Sequence, residues 1–517
     1  MDHVAEALRH PEAYPDHAIP IDGIRVVETH ISWIFLTGQY AYKLKKPVDL
    51  GFLDFSTLER RHHCCLEELK LNRRLCPDLY LDVLPVTVSG DRYIVGGSGP
   101  AADYVIRMVQ FDRAMELDRL LAASALPEER ISEIATILAG FHRSARSAAL
   151  STPYGSPEVL LVPMLENLDL TAEIIHTPEE SIAIQEIRTW TLAEHRRLEP
   201  VLRSRKENGF VRECHGDLHT GNMVIWKNRV TIFDCIEFNP NLSVIDVISD
   251  AAFLFMDLQH AKREDLAWRF LNGYLTETGD YASLRLLRLY CTYRAMVRAK
   301  VTAIRLTQET DPDQREKVLE EHRSYLSLAL GYVRPNPPQL VLMHGVSGTG
   351  KSFLASELTR IGGFAHLRSD IERKRLFGIP PLESSRPSGI DIYTREASER
   401  TYQALLDATE AALEGGWQVI VDATFLRKSQ RHPFIELAAR LGFQCCTLSL
   451  MAPVEILRKR VFDRLASGAD PSEANLEVLE KQLNALQPPD KNEKALIIEV
   501  DTQGPVEIDK LLEKLTS

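Results

Sequence analysis

One octapeptide narrows the fold of the second part of this chain to a single class. Gly345-Val346-Ser347-Gly348-Thr349-Gly350-Lys351-Ser352 follows directly on the apolar run Gln339-Leu340-Val341-Leu342-Met343-His344 and precedes a helical pattern over 353–361. In such a G-x-x-x-x-G-K-S loop, glycines (here Gly345, Gly348 and Gly350) let backbone N–H groups wrap an anion. Lys351 is placed to reach the outer phosphates of a nucleotide, and the Ser352 hydroxyl oxygen to meet Mg²⁺. The helix that starts at the loop points its positive N-terminal end at the same charge. Strand, loop and helix in this order predict an α/β P-loop domain with a parallel sheet over 339–517.

Two carboxylates complete the pattern. Val419-Ile420-Val421-Asp422 is a second apolar strand, and Asp422 at its end is expected to support the metal. Asp370, in Arg368-Ser369-Asp370-Ile371-Glu372-Arg373, follows a short strand and is the candidate base for an acceptor hydroxyl. Arg458, Arg460 and Arg464 lie on one helical stretch before Gly468-Ala469-Asp470-Pro471-Ser472, and Arg460 and Arg464 are expected to close over the nucleotide. The plainer readings are a capping aspartate and a solvated basic helix. Together these motifs resemble the small P-loop kinases that phosphorylate hydroxyl groups, a group including gluconate kinase, polynucleotide kinase and the zeta toxins.

The first part of the chain is organised around His215-Gly216-Asp217-Leu218-His219-Thr220-Gly221-Asn222, followed by Ile232-Phe233-Asp234. Asp217 and Asn222 stand five apart, the spacing at which a kinase catalytic loop places a proton-accepting Asp and a metal-holding Asn. Asp234 follows the strand pattern Val230 to Phe233 and supplies a second hard oxygen of the kind Mg²⁺ prefers. His215, Asp217, Asn222 and Asp234, in this order, resemble the catalytic segment of the aminoglycoside phosphotransferase family. That resemblance implies a two-lobed, protein-kinase-like α+β fold over 1–333 and use of ATP with Mg²⁺.

Strand patterns at Val26 to Thr29, Ser32 to Leu36 and Ala41 to Lys45 predict a small antiparallel lobe over 1–111. Lys43 and Lys45 are two apart and share a strand face, so either is a candidate to contact phosphate. Glu68, on the helix predicted from Leu58 to Leu75, is the preferred partner. No G-x-G-x-x-G covers the phosphates; the first turn reads Thr29-His30-Ile31-Ser32. Gln110-Phe111, after the strand Tyr104 to Val109, is the expected hinge. Residues 112–333 read as a helical lobe, with Asp246 and Asp250 four apart on one helix as supporting groups. Arg334-Pro335-Asn336-Pro337-Pro338 is a stiff connector.

A chain of 517 residues is too long for one ordinary core. Its 44% hydrophobic and 26% charged residues are those of a globular protein. No apolar run approaches a membrane span and no basic-then-apolar leader opens the sequence, so a cytoplasmic protein without membrane contact is expected. The eight cysteines lack metal spacing. A net charge of -12 disfavours nucleic acid as the main partner. The expected partners are small molecules bearing a hydroxyl, with intramolecular contact between the two domains. The alternatives are a nucleotide sensor gating one catalytic half, and a nucleic-acid 5′-hydroxyl kinase with a basic groove near Arg368, Arg373 and Arg375.

Overall fold

The computed structural model describes the chain apart from residues 1, 2, 16, 18–22, 52, 91, 176, 382, 384–391, 468–473, 494 and 517. The loop Gly468 to Ser472 expected behind the arginine helix therefore lies outside the described residues.

After the short helix α1 (His3–Ala7), the chain builds β1 (Arg25–Glu28), β2 (Ser32–Leu36), β3 (Tyr40–Lys45), α2 (Leu58–Asn72), β4 (Tyr80–Ser89), β5 (Arg92–Val95) and β6 (Ala101–Val109). The strands form one antiparallel sheet in the order β1-β2-β3-β6-β4-β5. Alternation along β3 sends Tyr42 and Leu44 into a core with Phe35, Val86 and Val105. It sends Ala41 to the opposite face, into the core that includes Cys65 of α2, and Lys43 and Lys45 share that face. Thr57 caps α2 by accepting the Arg60 N–H at 3.3 Å.

The middle of the chain is helical: α3 (Leu117–Ala122), α4 (Glu128–Ser144), α5 (Pro157–Ile174) and α6 (Pro178–Glu207). Two ribbons follow, one joining β7 (Val211–Glu213) to β10 (Val244–Asp246) and one joining β8 (Met223–Trp226) to β9 (Arg229–Ile232). The short α7 (Pro240–Ser243) precedes β10, and α8 (Val247–His260) follows it. Residues Ala251 to Met256 of α8 are fully buried, as befits a helix apolar on every side. Asp246 ends β10 and only Asp250 is on α8, a correction to the expectation of one shared helix. Arg205 takes Asp246 in a buried two-pronged pair at 2.6 and 2.8 Å, which holds it in the ribbon.

Helices α9 (Glu264–Thr278), α10 (Leu284–Gln308) and α11 (Pro312–Val333) end the helical region. On α10, Arg298 Nε lies 3.3 Å from the Tyr325 hydroxyl of α11. Residues 335–338 carry no regular structure.

The remainder alternates strand and helix: β11 (Gln339–His344), α12 (Lys351–Gly362), β12 (Ala365–Arg368), α13 (Ser369–Leu376), α14 (Arg395–Glu414), β13 (Val419–Asp422), α15 (Lys428–Leu441), β14 (Gln444–Met451), α16 (Val454–Ser467), α17 (Leu476–Ala485), β15 (Leu496–Asp501) and α18 (Ile508–Thr516). The parallel sheet runs β12-β13-β11-β14-β15. Its central strand β11 is buried at every residue, which is why it reads as an unbroken apolar run.

By packing, the chain divides into two compact units. One comprises 1–133, 140–163 and 199–254, the other 134–139, 164–198 and 255–517. Helices α9 to α11 thus belong to the same unit as the P-loop sheet. Among the described residues no helix is long and apolar enough to cross a membrane. The eight cysteines are all buried thiols.

Candidate active sites

In the first unit, β7 delivers the chain to His215, and Asp250 in the first turn of α8 pins the loop. The Asp250 carboxylate accepts the N–H groups of His215 and Gly216 at 2.8 and 2.9 Å and stands 3.2 Å from His142 Nε2. Gly216 adopts φ +89°, and a Cβ there would meet the Leu242 carbonyl oxygen at 2.8 Å, so only glycine passes. His215 lies fully buried between backbone groups. Its Nε2 donates to the Phe233 carbonyl at 2.8 Å and its Nδ1 accepts from Asp217 N–H at 3.3 Å. Burial lowers its pKa. With both ring nitrogens engaged by backbone, His215, expected among the catalytic set, ties the loop to the chain just after β9.

Asn222 Nδ2 donates to the Asp217 carbonyl and carboxylate at 2.9 and 3.0 Å, so loop geometry brings the two together. His219, quoted within the motif but given no role by sequence, adds a third contact. Its Nδ1 accepts from Gly221 N–H at 3.1 Å, which leaves the proton on Nε2, 3.4 Å from Asp217 Oδ2. Asp234 is a non-glycine residue at φ +68°, an uncommon conformation that turns the chain sharply after β9.

Both lysines of β3 are used. Lys43 Nζ lies 2.8 Å from Glu68 Oε1 and 2.5 Å from Asp234 Oδ1; Lys45 Nζ lies 2.6 Å from Glu68 Oε2 and 2.5 Å from Glu237 Oε1. The result is a chain of alternating charge, Asp234–Lys43–Glu68–Lys45–Glu237, whose two ends sit three residues apart. Burial works against the charge of each lysine. The carboxylates of Asp234 and Glu68 nonetheless hold Lys43 above its ordinary pKa, and those of Glu237 and Glu68 hold Lys45 well above it. The two lysines in turn bring Glu68 down to about 2 against its burial. Glu237 was not singled out from sequence. Its signal was a lone carboxylate between Ile236 and Phe238, close after Asp234.

In the second unit, β11 leads into the P-loop. Gly345, Gly348 and Gly350 all have positive φ, and a Cβ on Gly348 would stand 2.9 Å from the Leu457 carbonyl oxygen. Lys351 Nζ folds back on the Val346 carbonyl at 2.8 Å. Burial lowers its pKa to about 8 despite the carboxylates of Asp422 and Asp370, and the charge of Arg464 acts in the same direction. Asp422 ends β13 beside β11, buried, and the Ser352 side chain helps to keep its carboxylate charged. His366 Nε2 and Arg368 Nε approach its Oδ2 at 3.5 and 3.9 Å. These side chains, with Ser352, hold Asp422 down to about 2 against its burial. Asp370 lies in the first turn of α13.

The arginines of α16 divide. Arg460 donates to the Gly348 carbonyl at 3.3 Å and to the Thr502 carbonyl at 2.7 Å, so it lies against the P-loop. Arg464 donates to the Ala474 carbonyl at 2.8 Å. Arg458 pairs with Glu480 at the surface. Gln482 of α17 accepts the Ser347 N–H at 2.7 Å, a contact with no sequence motif to announce it.

The phosphotransferase enzyme family matches residues 72–287, and the AAA domain matches residues 340–489. Lys43, Lys45 and Glu68 precede the first match and are placed by geometry alone. Rv2004c of Mycobacterium tuberculosis (strain ATCC 25618 / H37Rv) and Mb2027c of Mycobacterium bovis are each 30% identical over 467 residues, 89% of this chain and 89% of theirs. Among solved structures, a gluconokinase from Sinorhizobium meliloti 1021 is 22% identical with a TM-score of 0.25, over 35% of this chain and 92% of that one. A choline/ethanolamine kinase family protein from Mesorhizobium loti is 14% identical with a TM-score of 0.39, over 64% of this chain and 98% of that one. By its identity to the mycobacterial proteins the chain belongs to their family, and it is an ATP-dependent phosphotransferase whose phosphotransferase-family segment is followed by a segment matching the AAA domain.

Proposed function

We propose that each half of the chain transfers the γ-phosphate of ATP to a hydroxyl of a small molecule. The observation that carries this reading for the first half is the convergence of Asp217, Asn222, Asp234, Lys43 and Glu68 within one compact unit. Asp217 is placed to accept the acceptor's hydroxyl proton. The freed oxygen then forms a bond to the γ-phosphorus as the bond to the bridging oxygen breaks, and ADP leaves with that electron pair. Lys43, released from Asp234 when phosphates arrive, contacts them, while Glu68 stays fixed through Lys45.

Mg²⁺ fits both donor sets. Asn222 and Asp234 in the first site, and Ser352 with Asp422 behind it in the second, are hard oxygen donors. The ion would neutralise phosphate charge there. In the second site Lys351 and the P-loop amides would hold the phosphates, Arg460 and Arg464 would flank them, and Asp370 is the base. The buried Asp422 at the end of β13 and the positive-φ glycines support this assignment.

The test is ADP formation by the full chain against a panel of sugars, polyols, amino alcohols and a 5′-hydroxyl oligonucleotide. Asp217→Asn is expected to lose about 10²- to 10⁴-fold in turnover with one acceptor class, and Lys351→Ala to lose turnover with another. Full turnover in either variant with every acceptor sinks the assignment of that half. Turnover with the oligonucleotide alone replaces the small-molecule reading for the half responsible.

A further inference from the structure

We infer that Asn272, on helix α9, is a positioning residue of the P-loop site; the inference rests on reading that site as one that binds a nucleotide with Mg²⁺. Asn272 falls inside the 72–287 phosphotransferase match, yet its side chain is joined to the P-loop sheet. Its Nδ2 donates to the Phe364 carbonyl at 3.0 Å and its Oδ1 accepts the His366 N–H at 2.8 Å. Among the described residues β12 is the edge strand of the sheet, paired with β13 alone. An edge strand presents outward N–H and C=O groups. The carboxamide of Asn272 meets a pair of them as a neighbouring peptide group would.

The clamped residue leads straight to the site. The backbone at His366 is fixed by Asn272, while its ring points back across the sheet to Asp422 Oδ2 at 3.5 Å. Arg368, two residues on and level with Asp422 in the strand register, is 3.9 Å from the same oxygen. The Ser352 side chain in turn helps to keep the Asp422 carboxylate charged. A slip of β12 along its free edge would carry His366 and Arg368 off Asp422 and alter the carboxylate that faces Ser352.

Helix α9 also holds the neighbouring helix. Arg375 of α13 donates to the Thr276 carbonyl at 2.6 Å, and just past α9 the Tyr281 hydroxyl interacts with the carboxylate of Glu372, two residues beyond Asp370. The dock is made close by Trp268 of α9, edge to face with Trp417 at 5.5 Å. Trp417 Nε1 donates to the Leu284 carbonyl at 3.1 Å, and a Cβ on Gly415 would stand 2.2 Å from that same oxygen. The helix α9 therefore serves as a wall of the P-loop site as well as a part of the phosphotransferase segment.

Residues behind a metal site typically change metal affinity about 10- to 100-fold when removed. The experiment is equilibrium dialysis of radiolabelled ADP against the full-length chain, with Mg²⁺ or with EDTA, for wild type, Lys351→Ala, Asn272→Ala and Asn272→Asp. Lys351→Ala is expected to remove one class of ADP site. Asn272→Ala is expected to weaken that class about tenfold or more with Mg²⁺ and little in EDTA. Asn272→Asp, which keeps the acceptor for His366 N–H, should fall between. Asp217-dependent phosphotransfer should be unchanged in both Asn272 variants, and their ADP binding retained in EDTA shows that the P-loop unit folds. An unchanged Lys351-dependent class in Asn272→Ala, or an equal loss with Mg²⁺ and EDTA, overturns the positioning role. If Lys351→Ala removes no class, the nucleotide reading of the P-loop is itself overturned and the inference falls with it.

Discussion

Lys45 Nζ lies 2.5 Å from Glu237 Oε1, with the lysine only 1% and the glutamate 5% exposed. The pair explains why β3 carries two lysines on one face: Lys45 braces Glu68 from behind, while Lys43 faces Asp234. Lys45→Met would strand two buried carboxylates, at a cost of about 3–5 kcal/mol. Urea unfolding should show that loss, and Lys45→Met with Glu237→Gln should recover part of it. Lys43→Met should instead cost turnover in the Asp217-dependent reaction. A stability loss confined to Lys43→Met contradicts the division of labour.

The acid response of the second unit should centre on His344. Burial foremost, with the charges of Arg431 and Lys351, lowers its pKa from 6.5 to about 4, and its Nδ1 lies 3.0 Å from Ser449 Oγ. Between those values the unfolded chain binds a proton that the folded chain refuses. Stability is then whole above pH 6.5 and falls from there to pH 4, by up to about 3 kcal/mol. His344→Gln should lose less stability than wild type between pH 7 and pH 5 in urea titrations. Equal losses contradict the assignment.

Gly216→Ala should damage the first site selectively. Its φ of +89° and the 2.8 Å approach of the Leu242 carbonyl give an added methyl no room. The strain is on the order of 1–3 kcal/mol and acts on the residue next to Asp217. Asp217-dependent turnover should drop at least about tenfold while Lys351-dependent ADP binding stays at the wild-type value. Wild-type turnover in Gly216→Ala contradicts the loop geometry.

Much of this was legible in the sequence because the motifs are local. Residues 215–222 and 345–352 are single loops whose spacing fixes their geometry, so the structure needed only to supply the strands on either side. Alternation along β3 put Lys43 and Lys45 on one face but could not rank them. Their ranking depends on Glu237, nearly two hundred residues away, and no local pattern reports such a meeting. Asp246 was misplaced on a helix because the three-residue strand β10 is too short to show alternation. Asn272 was invisible for a related reason. An asparagine on a helix face has no periodic signature, and its partners are backbone groups of an edge strand in a distant segment.

The central claim, two phosphotransfer sites on one chain, is met most directly by ³¹P NMR of ATP mixed with a metabolite extract and wild type, Asp217→Asn or Lys351→Ala protein. New phosphoester signals are expected with wild type, one set vanishing with Asp217→Asn and a different set with Lys351→Ala. A single set that only Asp217→Asn abolishes, with Lys351→Ala changing its rate alone, would contradict the claim and leave the P-loop half a nucleotide-responsive regulator.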